Sequence, residues 1–152
     1  MVNKTGFLYT RFIAQQYQLA KSFYLDRLNL LGCQYCLGAL GMENRAISNS
    51  QISASSQWDA NHAANQARLF YQAAGKKQGA WSARANDANQ WLQVQLPGIF
   101  KITYVATQGR NGADQWVTKY MLQHSDDGVR YQYYSEHQGS KNKVRIHNFI
   151  KQ

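Results

Sequence analysis

The side chains that could carry redox or metal chemistry are two cysteines and a few histidines. Cys33 and Cys36 form a C-x-x-C pair, but Cys36 is followed by the residues LGALG. A redox pair of this kind instead follows a strand and opens a helix. A structural zinc site would need two more ligands in a second cluster, and the histidines at positions 62, 124, 137 and 147 do not have that spacing. The sequence therefore predicts no metal site and no cofactor.

Motifs for other chemistries are absent from the sequence as well. It contains no G-x-S-x-G elbow, no H-E-x-x-H helix, no P-loop and no dinucleotide fingerprint. Residues 38–41 (GALG) are too short for a phosphate loop. Asp126 and Asp127 lie in a turn, where acidic residues are favoured for backbone reasons. We therefore predict that the chain is not an enzyme and that it works by binding.

The chain of 152 residues has a formal net charge of +9, and the excess of basic residues lies at its two ends. Residues 1–35 hold four basic residues and one acidic residue, and residues 141–152 hold four basic residues and none that are acidic. The middle, residues 36–140, is nearly balanced, with nine basic and seven acidic residues. Because basic residues at the ends of a chain are more often solvated than part of an interface, this distribution argues against nucleic acid as the partner.

No segment of the sequence has the character of a membrane span or of a recognisable signal peptide. A membrane-spanning helix needs about 18 or more consecutive apolar residues, and no such run exists. Near the N-terminus, glutamines at positions 15, 16 and 18 interrupt any apolar core that a signal peptide would require.

Residues 1–35 have a different pattern from the rest of the chain. Apolar residues recur there at spacings of three and four, at Ile13, Tyr17, Ala20, Tyr24, Leu28 and Leu31. This spacing is typical of one apolar stripe along a helix, and Gly32 stands where such a helix would end. We predict a helix in this segment, packed on the domain or lying outside it.

From residue 36 onward the pattern is that of short strands joined by polar loops. Residues 91–96 (WLQVQL) alternate, which places Leu92, Val94 and Leu96 on one face of a strand. Further strands are predicted at residues 102–107, 116–123 and 130–134, with turns between them. Strands at this spacing, with no strong helices between them, predict an all-β sandwich or barrel.

Eight short motifs in this region occur in the order that they have in the discoidin (coagulation factor 5/8 type C) family, which the chain resembles. Each is weak alone, but together they span about 100 residues at compatible spacing. They are residues 36–43 (CLGALGME), 47–56 (ISNSQISASS), 67–69 (ARL), 79–81 (GAW), 91–96 (WLQVQL), 105–110 (VATQGR), 116–120 (WVTKY) and 125–128 (SDDG).

The resemblance implies a distorted jelly-roll β-barrel or sandwich with a ligand surface made of loops at one end. It implies an extracellular, non-enzymatic module, secreted or at the cell surface as part of a parent protein. Such a module supports adhesion by binding carbohydrate, anionic phospholipid or an extracellular matrix protein. The family pattern covers residues 36–140, so residues 1–35 are predicted to be an unmatched segment and residues 141–152 a basic, divergent tail.

The family domain would continue after Tyr134 with further strands and a closing cysteine. In its place the sequence runs to residues 141–152, so we predict an incomplete domain. In the family, the cysteine that matches Cys36 bridges to that closing cysteine, so Cys36 is predicted to be unpaired or joined to Cys33. An alternative interpretation of the whole chain is therefore an unstable fragment with no binding activity of its own.

Carried over to this sequence, the resemblance places three loops at the ligand-binding end. Trp58 is the most informative candidate, because it lies in an otherwise polar loop, and its ring can meet a lipid interface or a sugar face. The basic side chains among the candidates could meet phosphate or sulfate groups. The candidate residues are Gln57, Trp58, Asp59, Asn61 and His62 in the first loop, Lys76, Lys77 and Gln78 in the second, and Arg110, Asn111 and Asp114 in the third.

The remaining tryptophans and arginines of interest are predicted to be structural. Trp81, Trp91 and Trp116 lie in or beside strands and are expected in the core, and Arg68 and Arg84 are also expected to be structural. Where the family strand has an acid, this chain has Gln95, for which Arg68 is a candidate partner. If the two pair, Gln95→Asp should raise the melting temperature.

Overall fold

The structure is a computed structural model that describes residues 9–14, 22–28, 38–98, 100–134 and 145–149. Within these ranges it has nine strands and three turns of 3-10 helix. The strands are β1 (Tyr9–Ala14), β2 (Ser22–Leu28), β3 (Gly38–Ala39), β4 (Ile52–Ala54), β5 (Gln90–Gln95), β6 (Lys101–Gln108), β7 (Tyr120–Ser125), β8 (Gln132–Tyr133) and β9 (Arg145–Phe149). The 3-10 turns are Asn49–Gln51, Ala60–His62 and Ala64–Gln66.

The strands form two sheets, and both contribute to one core. The first sheet has the order β4-β5-β1-β7-β8, and the second has the order β3-β2-β6-β9. Leu92, Val94 and Leu96 are each 0% exposed, as the alternation of β5 predicts. They belong to the same buried cluster as Val105 of β6 and Leu122 of β7. The predicted all-β class is therefore confirmed.

The strand register gathers several connections at one end of the first sheet. Ala14 of β1 lies opposite Gln90 on one side and opposite Tyr120 on the other, and Ala54 of β4 lies opposite Leu92. The segment that leaves β4 and the segments that enter β5 and β7 therefore all lie at the same end of these strands. We call this end of the sheet the loop end. The turn after Ser125 lies at the other end, because Ser125 is opposite Tyr9.

The helix predicted within residues 1–35 is wrong for the two stretches that the structure describes there. Tyr9–Ala14 is a strand between β5 and β7, and Ser22–Leu28 is a strand beside β6. Both stretches are rich in aromatic and β-branched residues, which fit a pleated sheet, and pairing with neighbouring strands overrides the helical spacing. Tyr17, Ala20 and Leu31 of the predicted stripe lie outside the described residues, as do Cys33 and Cys36.

Of the three tryptophans predicted in the core, Trp81 is buried there, whereas Trp116 and Trp91 are outside the core cluster. The strand predicted to start at Trp116 begins at Tyr120, so Trp116 lies in an irregular segment and is 42% exposed. Val117, the next residue, packs against the core in its place. Trp81 is 1% exposed, and Trp91, on the outer face of β5, is half-buried.

Arg68 is buried, but its partners differ from the predicted one. Its Nη1 donates to the Met42 carbonyl oxygen at 2.8 Å, and its Nη2 donates to Asn49 Oδ1 at 2.7 Å. Gln95 instead accepts, at its carbonyl oxygen, a hydrogen bond of 3.0 Å from Gln51 Nε2. Burial lowers the pKa of the Arg68 guanidinium, and the neighbouring charge of Arg45 adds to that effect. The predicted pairing of Arg68 with Gln95 is therefore wrong.

Candidate ligand-binding site

The first loop (residues 57–62) is fastened at its base to the buried Trp81. The indole Nε1 of Trp81 donates to the Ser56 carbonyl oxygen at 2.8 Å, and the backbone N–H of Trp58 donates to the Ser82 carbonyl oxygen at 2.8 Å. The backbone of Trp58 is thus fixed, yet its side chain is not needed in the core. Trp58 is 65% exposed, as predicted, and Gln57 beside it is exposed as well.

Asp59 and His62 form a pair within the first loop. Asp59 Oδ1 accepts from the Asn61 backbone N–H at 2.8 Å, which caps the 3-10 turn, and lies 2.6 Å from His62 Nδ1. The hydrogen bond to His62 is the main cause that lowers the pKa of the Asp59 carboxyl below its ordinary value. The His62 side chain is 13% exposed and that of Asp59 45%, so the imidazole is held inward by an outer carboxylate.

The second loop (residues 75–78) presents two lysines at its tip. Ala74 and Lys77 exchange backbone hydrogen bonds of 3.1 Å, which closes a tight turn that leaves Lys76 and Lys77 exposed. The turn is followed by Gly79, whose φ of +68° disfavours other residues. A Cβ at that position would lie 2.9 Å from the Ala73 backbone nitrogen, so the fold needs glycine there.

Arg110 and Gln78 tie the third loop (residues 110–114) to the other two. The Gln78 backbone N–H donates to the Asn61 carbonyl oxygen at 3.1 Å and to Gln66 Oε1 at 3.0 Å. Arg110 Nη2 donates to Gln78 Oε1, and Arg110 Nη1 donates to Gln115 Oε1 at 2.7 Å. The three loops are therefore held together by amide groups. These amides are neutral, so they do not compensate the positive charge of Arg110.

Asn111 makes a second tie between the second and third loops. Its Oδ1 accepts from the Ala73 backbone N–H at 3.1 Å, and its Nδ2 donates to Gln72 Oε1 at 2.8 Å. Asp114 lies exposed in the third loop. A loop surface cross-linked in this way is already ordered before a ligand arrives, which lowers the entropic cost of binding.

A cleft of about 290 Å³ opens between the first loop, residues 82–86 and the third loop. Trp58 and Arg84 are exposed at its wall, and Arg110 lies half-buried in it. The residues that line the cleft are Trp58, His62, Ser82, Ala83, Arg84, Asn86, Arg110 and Gln115.

Arg84 lines the cleft but was not among the predicted site residues. It was predicted to be structural, but its side chain is exposed at the cleft and, within the part of the chain that the structure describes, hydrogen bonds only through its backbone N–H. Arg84 lies in the polar connection that leads into β5, and polar loops are often on the surface. This position could have indicated that its side chain is exposed.

The charges of the cleft suit an anion. Arg84 and Arg110 both line it, and no carboxylate is among the lining residues. Arg110 Nε is buried and has no hydrogen-bond partner among the described residues. The half-buried Arg110 side chain also lines the cleft, where its positive charge would attract an anion. The planar guanidinium groups match carboxylate, phosphate and sulfate.

The cleft does not have the geometry of a hydrolase site. Ser82 lies near the Asp59–His62 pair, but its hydroxyl makes no hydrogen bond to the imidazole, and a Ser-His-Asp site depends on that contact. In the described ranges, no group of three or more histidine, cysteine or acidic side chains could hold a metal ion. In the same ranges, no helix is long and apolar enough to cross a bilayer.

The structure brings together some of the predicted site residues and separates others. Trp58, His62 and Arg110 meet around the cleft, and Asp59 reaches it through His62. Asn61, Gln78 and Asn111 connect the loops and do not line the cleft. The remaining predicted residues are exposed on the loops outside the cleft: Gln57, Lys76, Lys77 and Asp114.

The fold class is therefore an all-β domain of two sheets, with a cleft lined by two arginines between loops at one end. Residues 51–152 match the F5/8 type C domain family, and the chain therefore belongs to this discoidin family. The match includes the basic segment 141–152.

Three relatives illustrate the similarity. The chain is 40% identical to pig (Sus scrofa) coagulation factor V over 126 residues, which cover 78% of this chain and 5% of factor V. It is 40% identical to rat (Rattus norvegicus) lactadherin over 124 residues, 76% of this chain and 29% of lactadherin. It is 38% identical to pig coagulation factor VIII over 112 residues, 69% of this chain and 5% of factor VIII. The chain thus spans a small part of these relatives, and no solved structure matches it.

Proposed function

We propose that this chain is a non-enzymatic extracellular binding module whose loop end attaches to membranes that contain anionic phospholipid. The observation that carries the proposal is the exposed Trp58 at the wall of a cleft lined by Arg84 and Arg110. The discoidin family to which the chain belongs supports a binding role over catalysis. Support of cell adhesion would follow from attachment to such a surface.

The three parts of the loop end have complementary roles in this proposal. A tryptophan partitions into a membrane interface because its ring is apolar and its N–H is polar. Lys76 and Lys77 are exposed on the neighbouring loop, where each lysine near an anionic surface contributes about 1 kcal/mol. The cleft arginines would then bind one phosphate or carboxylate of a head group with directed hydrogen bonds.

A carbohydrate is the second candidate ligand, and the neutral lining of the cleft favours it. Ser82, Asn86 and Gln115 offer a hydroxyl and two amides beside Trp58, and sugar rings are bound by polar groups of this kind together with an aromatic face. A matrix protein with acidic side chains would use the same two arginines. Carbohydrate binding predicts weak salt dependence and competition by the free sugar, whereas binding of an acidic protein would weaken with salt but would not require anionic vesicles.

The test is sedimentation of the purified chain with phosphatidylcholine vesicles that contain or lack phosphatidylserine. We expect binding only to the anionic vesicles, with a strong loss as salt is raised. Lys76→Gln with Lys77→Gln should weaken it by about 2 kcal/mol, which is roughly 30-fold. Arg130→Gln, in the turn at the opposite end of β7, is the control and should leave binding unchanged.

Two results would overturn the membrane proposal. Equal binding to vesicles with and without phosphatidylserine would remove the role of the basic residues. Binding that a free sugar abolishes and that salt leaves unchanged would favour the carbohydrate alternative.

A further inference from the structure

His62 is the lining residue of the cleft whose side chain has a neutral and a protonated form. The other ionisable residues that line the cleft, Arg84 and Arg110, carry guanidinium groups that stay charged at any pH of interest. Imidazole ordinarily titrates at a pKa of about 6.5. The positive charge available to a ligand therefore depends on His62, whose side chain is 13% exposed and lies in the wall of the cleft.

The hydrogen bond that His62 donates to Asp59 decides which nitrogen of His62 a ligand can use. Asp59 Oδ1 lies 2.6 Å from Nδ1, and a carboxylate can only accept, so Nδ1 carries a proton. Nε2 makes no hydrogen bond within the described residues. In the neutral ring Nε2 is an acceptor and repels an anionic oxygen, whereas in the protonated ring it becomes a donor.

The charged groups around His62 have opposite effects on its protonation. Asp59, from the same loop, favours the imidazolium, whereas Arg84 from residues 82–86 and Arg110 from the third loop disfavour it. The second loop contributes the neutral Gln78, and its two lysines do not line the cleft. An anion between the arginines would offset their charge and so favour protonation of His62.

We propose that His62 is a proton-dependent contact residue for an anion in the cleft and that Asp59 is its positioning residue, so that binding takes up a proton at Nε2. The inference rests on the proposed function, because it assumes that the cleft holds the anionic group of the ligand. Its consequence is tighter binding at mildly acidic pH than at pH above neutrality. By reciprocity, the bound anion raises the proton affinity of His62.

The probe is sulfate, because its charge does not change across the pH range in which imidazole titrates. The chain is titrated with sulfate against chloride at matched ionic strength, and resonances of the Trp58 indole, the Arg110 Nε–H and the rings of His62 and His124 are followed by NMR. We expect the affinity for sulfate to rise on acidification, by at most about tenfold per pH unit for one proton taken up. The titration midpoint of His62 should move to higher pH when sulfate is present. His124 on β7, outside the cleft lining, is an internal control and should not move.

Two variants test separately the contact role of His62 and the positioning role of Asp59. His62→Gln should bind sulfate with an affinity that no longer depends on pH. Asp59→Asn can still accept the Asn61 backbone N–H, but it removes the carboxylate, so the acid-dependent gain in affinity should move to lower pH. A purely structural role for Asp59 would change the melting temperature without moving this profile.

The outcomes distinguish this inference from the function on which it rests. If sulfate shifts the cleft resonances equally at acidic and alkaline pH, and the His62 midpoint stays fixed, the proton-linked contact is wrong while the anion site stands. If sulfate shifts no cleft resonance at any pH, both the inference and the proposed anion site fail.

Discussion

Two tryptophans lie in regions of the molecule that differ in burial. Trp81 is 1% exposed and belongs to the core cluster, whereas Trp58 is 65% exposed at the loop end. The two regions are joined by two hydrogen bonds of 2.8 Å, from the Trp81 indole to Ser56 and from the Trp58 backbone to Ser82. The core thus positions the backbone of the loop and leaves its largest side chain to solvent.

Two arginines repeat the contrast. Both Nη groups of Arg68 donate to acceptors at 2.7–2.8 Å, from Met42 and Asn49, and Arg68 is 2% exposed. Arg110 is held by the amides of Gln78 and Gln115 and lines the cleft, and its buried Nε has no hydrogen-bond partner among the described residues. The Arg68 guanidinium is enclosed by acceptors of the fold, whereas the half-buried Arg110 side chain lines a cleft that a ligand could enter. The comparison predicts that changes near Trp81 alter stability and that changes near Trp58 alter binding.

The largest expected effect is that of Trp81→Ala on stability. Removing a buried aromatic side chain costs about 3–5 kcal/mol, and the Ser56 carbonyl oxygen loses its donor as well. We expect this loss in the free energy of unfolding, measured by urea denaturation. The milder Trp81→Phe keeps most of the packing and should cost less, and a variant as stable as the parent would contradict the assignment of Trp81 to the core.

Asn49→Ala should have an intermediate effect on stability. The substitution leaves the buried Arg68 Nη2 without its acceptor, and an unsatisfied buried donor costs about 1–3 kcal/mol. Gln95→Asp is the matched control, because Gln95 does not contact Arg68 in the structure, and it should not raise the melting temperature. A higher melting temperature for Gln95→Asp would restore the pairing of Arg68 with residue 95.

A smaller effect is expected from the turn at the opposite end of β7. The backbone N–H groups of Arg130 and Val129 donate to the Asp127 carboxylate, and these bonds hold its pKa well below the ordinary value. A carboxyl with a depressed pKa stabilises the fold above its unfolded pKa of about 3.9, and the stabilisation is lost as the pH falls below that value. The melting temperature should therefore fall with acidification below about pH 4.

Asp127→Asn should flatten that acid dependence, because an amide oxygen still accepts the two N–H groups but does not titrate. Thermal melts of the two chains across the acidic range measure the difference. Parallel pH profiles of the parent and the variant would show that the turn does not contribute to acid lability.

The sequence predicted those elements in which local pattern and burial agree. In β5 the alternation at Leu92, Val94 and Leu96 is also the burial pattern of the sheet, so the prediction was correct. In residues 1–35 the spacing of apolar residues favoured a helix, but Tyr9–Ala14 lies between β5 and β7, strands more than 75 residues away in the chain. Pairing over such separations is not visible in a local periodicity.

The candidate site was predicted only in part, because part of it also depends on contacts between distant segments of the chain. Trp58 stands out because an apolar side chain in a polar loop has no local reason to be there. Arg84 does not stand out, because its place in the cleft depends on the first loop, residues 82–86 and the third loop meeting in the fold. Trp116 was expected in a strand that in fact begins at Tyr120, and a shift of a few residues in a strand boundary is enough to change a core position into an exposed one.

The most direct test of the account measures binding and stability on one variant, Trp58→Ala. Its affinity for phosphatidylserine-containing vesicles and its melting temperature are compared with those of Tyr133→Ala, which removes an aromatic residue that is 55% exposed on the edge strand β8. We predict that Trp58→Ala loses at least about tenfold in affinity, which is about 1.4 kcal/mol, with an unchanged melting temperature, and that Tyr133→Ala binds normally. Full binding by Trp58→Ala, or a loss that follows a lowered melting temperature, would contradict the division between a supporting core and a binding loop end.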